Sequence, residues 1–256
     1  MRTTLLAECA AEFFGTLVLI LLGCGVVASV VLFGNGTPGE IVNGGVTNIN
    51  LAWGLAVTMG IYTAGKISGA HLNPAVTIAM AVFRGLGWGK VLPYIVAQVA
   101  GAFTAAAIVF LNYRPAFEKF DPALEKTAGV FATFPAFPGQ PGVGFIDQVI
   151  GTALLLFLIC AITDERNSLP AGNLAPVIIG LVVVVIGMSF GALHGYAINP
   201  ARDFGPRLMT AVMGFKNNGL TDGSGVFWVP IIAPILGGIL GTAAYDLGLR
   251  RFLPEA

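Results

Sequence analysis

Two apolar stretches too short to cross a membrane, set among six that are long enough, constrain this chain more than any other feature of its sequence. The long runs fall at about 5–33, 45–66, 88–112, 145–163, 174–193 and 226–249. Each supplies the roughly 20 helical residues that a hydrocarbon core of about 30 Å requires. The short runs extend from Pro74 to Phe83 and from Pro200 to Met213, and at 1.5 Å per residue the first covers only about 15 Å. Both open with the same tripeptide, Asn73-Pro74-Ala75 and Asn199-Pro200-Ala201. Asn is a preferred N-cap because its side-chain oxygen accepts from an unpaired backbone N–H, and Pro suits the first helical position, where its missing N–H costs nothing. The pattern predicts an all-α membrane protein of six transmembrane helices and two half-helices.

Composition agrees. The 256 residues are 56% hydrophobic and 10% charged, far from the roughly 25% charge of a soluble domain. Lys plus Arg and Asp plus Glu both number 13, for zero formal charge, so nothing favours nucleic acid or a polyanion as partner. Cys9, Cys24 and Cys160 lie in apolar stretches without CxxC spacing or neighbouring His, which reads as small buried hydrophobes; no metal or cofactor is expected. The first run, carrying Glu8 and Glu12 and lacking a cleavage site after a short core, reads as a span and not a cleaved signal.

The tripeptides belong to a duplication of the whole chain. Glu12-Phe13-Phe14-Gly15-Thr16 matches Gln148-Val149-Ile150-Gly151-Thr152, and Gly101 matches Gly237, both at an offset of 136, while Gly54 and Gly180 each precede their Asn by 19 positions. The first repeat covers 5–112 and the second 145–249 of a single domain spanning 1–256, with 113–144 as the loop between them. Three spans per repeat put the second copy upside down relative to the first, so the half-helices enter from opposite faces and meet at the midplane. Helix ends at that depth are tolerated only inside protein or beside a wet cavity, so the duplication predicts a pore.

Arg84, Lys90, Arg166, Arg250 and Arg251 mark the cytoplasmic side. Both termini then lie inside, and the Pro- and Phe-rich loop 113–144 lies outside, packed over the pore mouth.

The motifs Ser68-Gly69-Ala70-His71-Leu72-Asn73-Pro74-Ala75-Val76-Thr77 and Asn199-Pro200-Ala201-Arg202-Asp203-Phe204-Gly205-Pro206, in their inverted setting, resemble the aquaporin superfamily over essentially the whole chain. Asp203 after Arg202, and Pro230-Ile231 in the sixth span, resemble its glycerol-facilitator branch. The resemblance implies a right-handed bundle, a plasma-membrane homotetramer with one pore per subunit, and passive conduction of glycerol and water without ions or any enzymatic step. It maps the outer constriction onto Trp53, Gly187, Tyr196 and Arg202. Gly187 stands where water-selective members have His and is expected to leave room for a carbon backbone. Tyr196 stands where glycerol facilitators often have Phe; its hydroxyl either faces the lumen and narrows it or is tied to the external loop.

The chain approaching each half-helix is expected to be extended, with the carbonyls of Gly69, Ala70, His71 and Leu72 on one side and Gly195, Tyr196, Ala197 and Ile198 on the other forming an acceptor ladder. The family gives Glu12 the task of holding the first of these loops. Its counterpart Gln148 replaces a usual Glu, which puts the rigidity of the second loop in question, and Asp147 is badly placed to substitute. Arg202, an ionisable residue in an apolar segment, reads as functional, with a structural strut satisfied by Asp203 or loop carbonyls as the plain alternative. His71 reads as a hydrogen-bonded vestibule residue, His194 as a solvated loop residue, and Gly237 and Gly241 as close helix contacts.

Three rival readings remain. A channel for water, urea, ammonia, hydrogen peroxide or metalloid acids uses the same architecture. A proton-coupled transporter also uses inverted repeats, but needs an intramembrane relay for which only Glu12 is placed. An intramembrane hydrolase finds no nucleophile and base in Ser189 and His194.

Overall fold

The computed structural model describes residues 4–34 and 41–254. The chain ends, expected from the basic residues to lie inside the cell, fall outside the described residues. Nine α-helices form among the described residues: α1 (Leu5–Val31), α2 (Gly45–Ser68), α3 (Pro74–Phe83), α4 (Trp88–Asn112), α5 (Arg114–Phe120), α6 (Pro141–Thr163), α7 (Ala175–His194), α8 (Pro200–Val212) and α9 (Val229–Gly248). Six are long. Five of these, α1, α4, α6, α7 and α9, are apolar enough to cross a membrane by composition alone. The sixth, α2, has 24 residues, enough for about 36 Å, and is more polar because Asn50 and Thr58 turn inward and are buried. Large apolar side chains such as Leu22, Val96, Val185 and Leu240 instead face outward, the pattern that suits lipid around a helical bundle.

The half-helices α3 and α8 start as their sequences require. The Asn73 side-chain oxygen accepts from Ala75 N–H at 2.9 Å, and that of Asn199 accepts from Ala201 N–H at 3.0 Å and Arg202 N–H at 3.2 Å. Side-chain packing follows the duplication. α1 lies against α2 and α4, and α6 repeats this against α7 and α9; α3 rests on α9 of the other repeat, and α8 on α4. The repeats join where α2 crosses α7 at Gly54 and Gly180. A Cβ on either glycine would overlap the other's carbonyl oxygen, so only glycine permits this approach.

The loop between the repeats is more ordered than a vestibule loop need be. It contains α5 and a 3-10 turn at Ala128–Val130, held by an aromatic cluster of Phe110, Phe117, Phe131 and Phe215 with ring centroids 5.2–5.8 Å apart. Asp121 closes it internally, accepting from the N–H groups of Glu125 (3.0 Å), Lys126 (2.9 Å) and Thr127 (3.0 Å) and from the Thr127 hydroxyl (2.8 Å). Burial alone would raise its pKa; these bonds outweigh burial and hold the carboxyl below the usual range.

Candidate functional site

A cavity of about 320 Å³ runs between the repeats. Its lining combines apolar side chains, among them Leu19, Val57, Ile61, Val76, Leu155, Ile179 and Val183, with residues of the two loops before the half-helices and with Asn73, Asn199 and Arg202. Gly69, Ala70, His71, Leu72, Tyr196, Ala197 and Ile198 line it. Gly195 instead closes α7 as a left-handed cap, against Thr133.

These loops are not extended as the sequence suggested. Ala70 (φ +51°), Leu72 (+51°), Tyr196 (+35°) and Ile198 (+43°) are left-handed, at repeat-related alternate positions. A strand turns successive residues to opposite sides; left-handed residues at alternate positions break that alternation along the cavity wall. Such a backbone costs about 1–3 kcal/mol per residue and persists only where its surroundings hold it.

The first loop is held by Glu12, which accepts from the N–H of His71 at 2.9 Å and Leu72 at 2.7 Å, from the Ser68 hydroxyl at 2.6 Å and from the Gln98 amide at 2.8 Å. At the second loop Gln148 accepts from Ile198 N–H at 2.9 Å and donates to the His194 carbonyl at 3.1 Å. Asp147 is buried at its side, 3.4 Å from the Gln148 amide nitrogen, and makes no bond to the loop among the described residues. At the midplane the Asn side chains reach across: Asn73 Nδ2 donates to Ile198 O at 2.9 Å and Asn199 Nδ2 to Leu72 O at 2.7 Å. Two of the eight carbonyls expected in the ladder are thus taken by protein donors.

Trp53, Tyr196 and Arg202 also line the cavity. The Arg202 guanidinium lies 4.0 Å over the Trp53 ring and donates to Phe131 O at 3.1 Å. Asp203 is not its partner. That carboxylate is fully buried and pairs with Arg207 one helical turn on, Nε to Oδ1 at 2.7 Å; it also accepts from the Thr133 N–H and hydroxyl, both at 2.8 Å. Arg207 completes the strap by donating to Thr133 O at 2.6 Å and Asn218 O at 3.0 Å. Phe131, Thr133 and Arg207 did not stand out in the sequence. The i,i+4 spacing of Asp203 and Arg207 was the available signal.

Gly187 does not open onto the cavity, because the Tyr196 ring fills the space beside it. A Cβ at Gly187 would lie 2.8 Å from Tyr196 Cζ, and one at Gly191 would lie 2.7 Å from Cδ1. The Tyr196 hydroxyl is buried and reaches neither lumen nor loop. His71 lines the cavity with Nδ1 3.2 Å from the Thr77 hydroxyl. His194 is not solvated: it ends α7 with 1% exposure, its ring packed against Gly144.

The family model described as Major intrinsic protein matches residues 1–245. A "Glycerol uptake facilitator protein" of Pseudomonas aeruginosa is 44% identical over 264 aligned residues, covering 99% of this chain and 92% of its own. That of Escherichia coli strain K12 is 42% identical, covering 98% and 91%. Among solved structures, the aquaglyceroporin from Plasmodium falciparum superposes with a TM-score of 0.84 at 31% identity, over 97% of this chain and 98% of that one. With its inverted helical repeats and paired half-helices, the chain belongs to the major intrinsic protein family.

Proposed function

We propose that this integral membrane protein is a passive channel for glycerol and other small neutral polyols, with water, and that it excludes protons and ions. The observation that carries the reading is the cavity's mixed lining, in which the loop residues with Asn73, Asn199 and Arg202 supply polar groups and Leu19, Val57, Ile61, Val76, Leu155, Ile179 and Val183 supply aliphatic ones. A polyol has hydroxyls on one edge and CH groups on the other, so a lining of both kinds replaces its hydration without trapping it, as conduction requires. The names of the Pseudomonas and Escherichia relatives support the same solute.

Arg202, Trp53 and Tyr196 form the selective ring, with Gly187 behind it. The N-terminal ends of α3 and α8 meet at the Asn pair, and their positive dipole ends, with the Arg202 charge, oppose cations and protons. The basic residues put loop 113–144 outside a plasma membrane and both chain ends within, and four copies assemble with one pore each.

Stopped-flow light scattering on proteoliposomes tests this. Glycerol equilibration should be much faster than in empty liposomes, linear in concentration and indifferent to an uncoupler. Water flux without glycerol flux would make the protein a water channel. Saturable, uncoupler-sensitive flux would make it a carrier.

A further inference from the structure

Two buried polar atoms lack a hydrogen-bond partner beside Gly187: the hydroxyl of Tyr196 and the side-chain oxygen of Asn50. Asn50 belongs to α2, three residues before Trp53, and is 2% exposed. The position a Cβ would take on Gly187 lies 2.7 Å from Asn50 Oδ1 and 2.8 Å from Tyr196 Cζ, so both groups crowd one point on α7. The Tyr196 ring lies along α7, with Cδ1 over Gly191 and its hydroxyl end over Gly187. This is a groove made by two glycines one helical turn apart.

Leaving either atom unpaired in this low-dielectric site forfeits its hydration for nothing. A phenolic hydroxyl donates, and an amide oxygen accepts; a slight tilt of the ring, or one bridging water, joins them. We propose that Asn50 is a positioning residue for solute selection: its amide binds the Tyr196 hydroxyl, seats the ring on the Gly187–Gly191 groove, and so keeps open the part of the lumen that takes the polyol's carbon edge. Asn50 touches no solute. It acts through Tyr196, and because it shares α2 with Trp53 it also ties two sides of the ring together. Tyr196 has a left-handed backbone at φ +35°, which gives its ring an added need for such an anchor.

The inference rests on the polyol-channel reading, and one set of flux measurements separates the two. Proteoliposomes of wild type, Asn50→Leu, the double variant Asn50→Leu with Tyr196→Phe, and Gly187→Ala are compared for water, glycerol and a five-carbon polyol. In Asn50→Leu the hydroxyl loses its acceptor and turns to lumen water, so the glycerol-to-water permeability ratio should fall by roughly fivefold, and the longer polyol should lose more. The double variant removes the stranded hydroxyl and should recover most of that ratio, which a merely structural role for Asn50 does not predict. Gly187→Ala, wedging the pair apart, should lower the ratio in the same direction. Water permeability counts working pores, so a folding defect, which lowers both fluxes, is told apart from a change of ratio. If wild type conducts glycerol but Asn50→Leu and Gly187→Ala keep its ratio, or the double variant is no better than Asn50→Leu, the proposal is overturned and the channel reading stands. If wild type conducts no glycerol, both fall.

Discussion

Arg202 has one hydrogen bond to protein through its guanidinium among the described residues, to Phe131 O, and it lies over the Trp53 face. Its planar fork carries five donors and a permanent charge, so most of that capacity is left for passing solute. Replacing it with Val should admit a cation or proton leak measurable as current across planar bilayers. A variant as tight as the parent would assign exclusion to the half-helix ends alone. A second test contrasts two residues related by the repeat. Glu12→Ala strands the N–H groups of His71 and Leu72, whereas Gln148→Ala strands that of Ile198. Each buried unpaired N–H costs about 1–3 kcal/mol, so Glu12→Ala should lower the thermal unfolding midpoint in detergent by the larger amount. Equal shifts would mean that the two loops are held by something other than these side chains.

At the level of elements, α8 is fixed by the strap that joins it to the interrepeat loop. The Asp203–Arg207 pair is wholly buried, and removing one partner of such a pair typically costs about 3–5 kcal/mol. Arg207→Met should therefore destabilise the protein by about that much and, because Thr133 and Phe131 adjoin, should lower glycerol flux in the channels that survive; an unchanged unfolding midpoint would contradict it. The loop itself should be acid-sensitive. Asp121 has a lowered pKa, so its stabilisation is complete above the unfolded-state pKa near 4 and is lost as pH falls through the folded value. Proteolysis between 121 and 134 should accelerate only at such acid pH, and Asp121→Asn should remove the dependence.

The sequence made the half-helices readable because a cap, a Pro and an apolar run all point to the same start. It hid α5, since seven residues are too few to show a helical period. It hid the strap because Asp203 adjoins Arg202 along the chain, whereas a helix brings it to Arg207 one turn on. Gly187 read as open space because its true neighbour, the Tyr196 ring, arrives through a left-handed turn that no pattern of residue types announces.

For the molecule as a whole, the inverted repeat was legible from matched glycines, and the structure supplies their reason. Gly101 and Gly237 sit where a Cβ would overlap the carbonyl oxygens of Phe13 and Val149, again a repeat-related pair. Gly54→Leu should force α2 from α7 and abolish water and glycerol flux together; preserved flux of either solute would show that the crossing can relax. At the centre, each Asn binds the carbonyl just before the other. This mutual clasp ties the starts of the two half-helices to each other, and a passive channel takes no drive from an energy source. Solute must then leave as readily as it comes in, and a cell relying on such a pore accumulates nothing through it. It gains only what its own metabolism removes from the inner side.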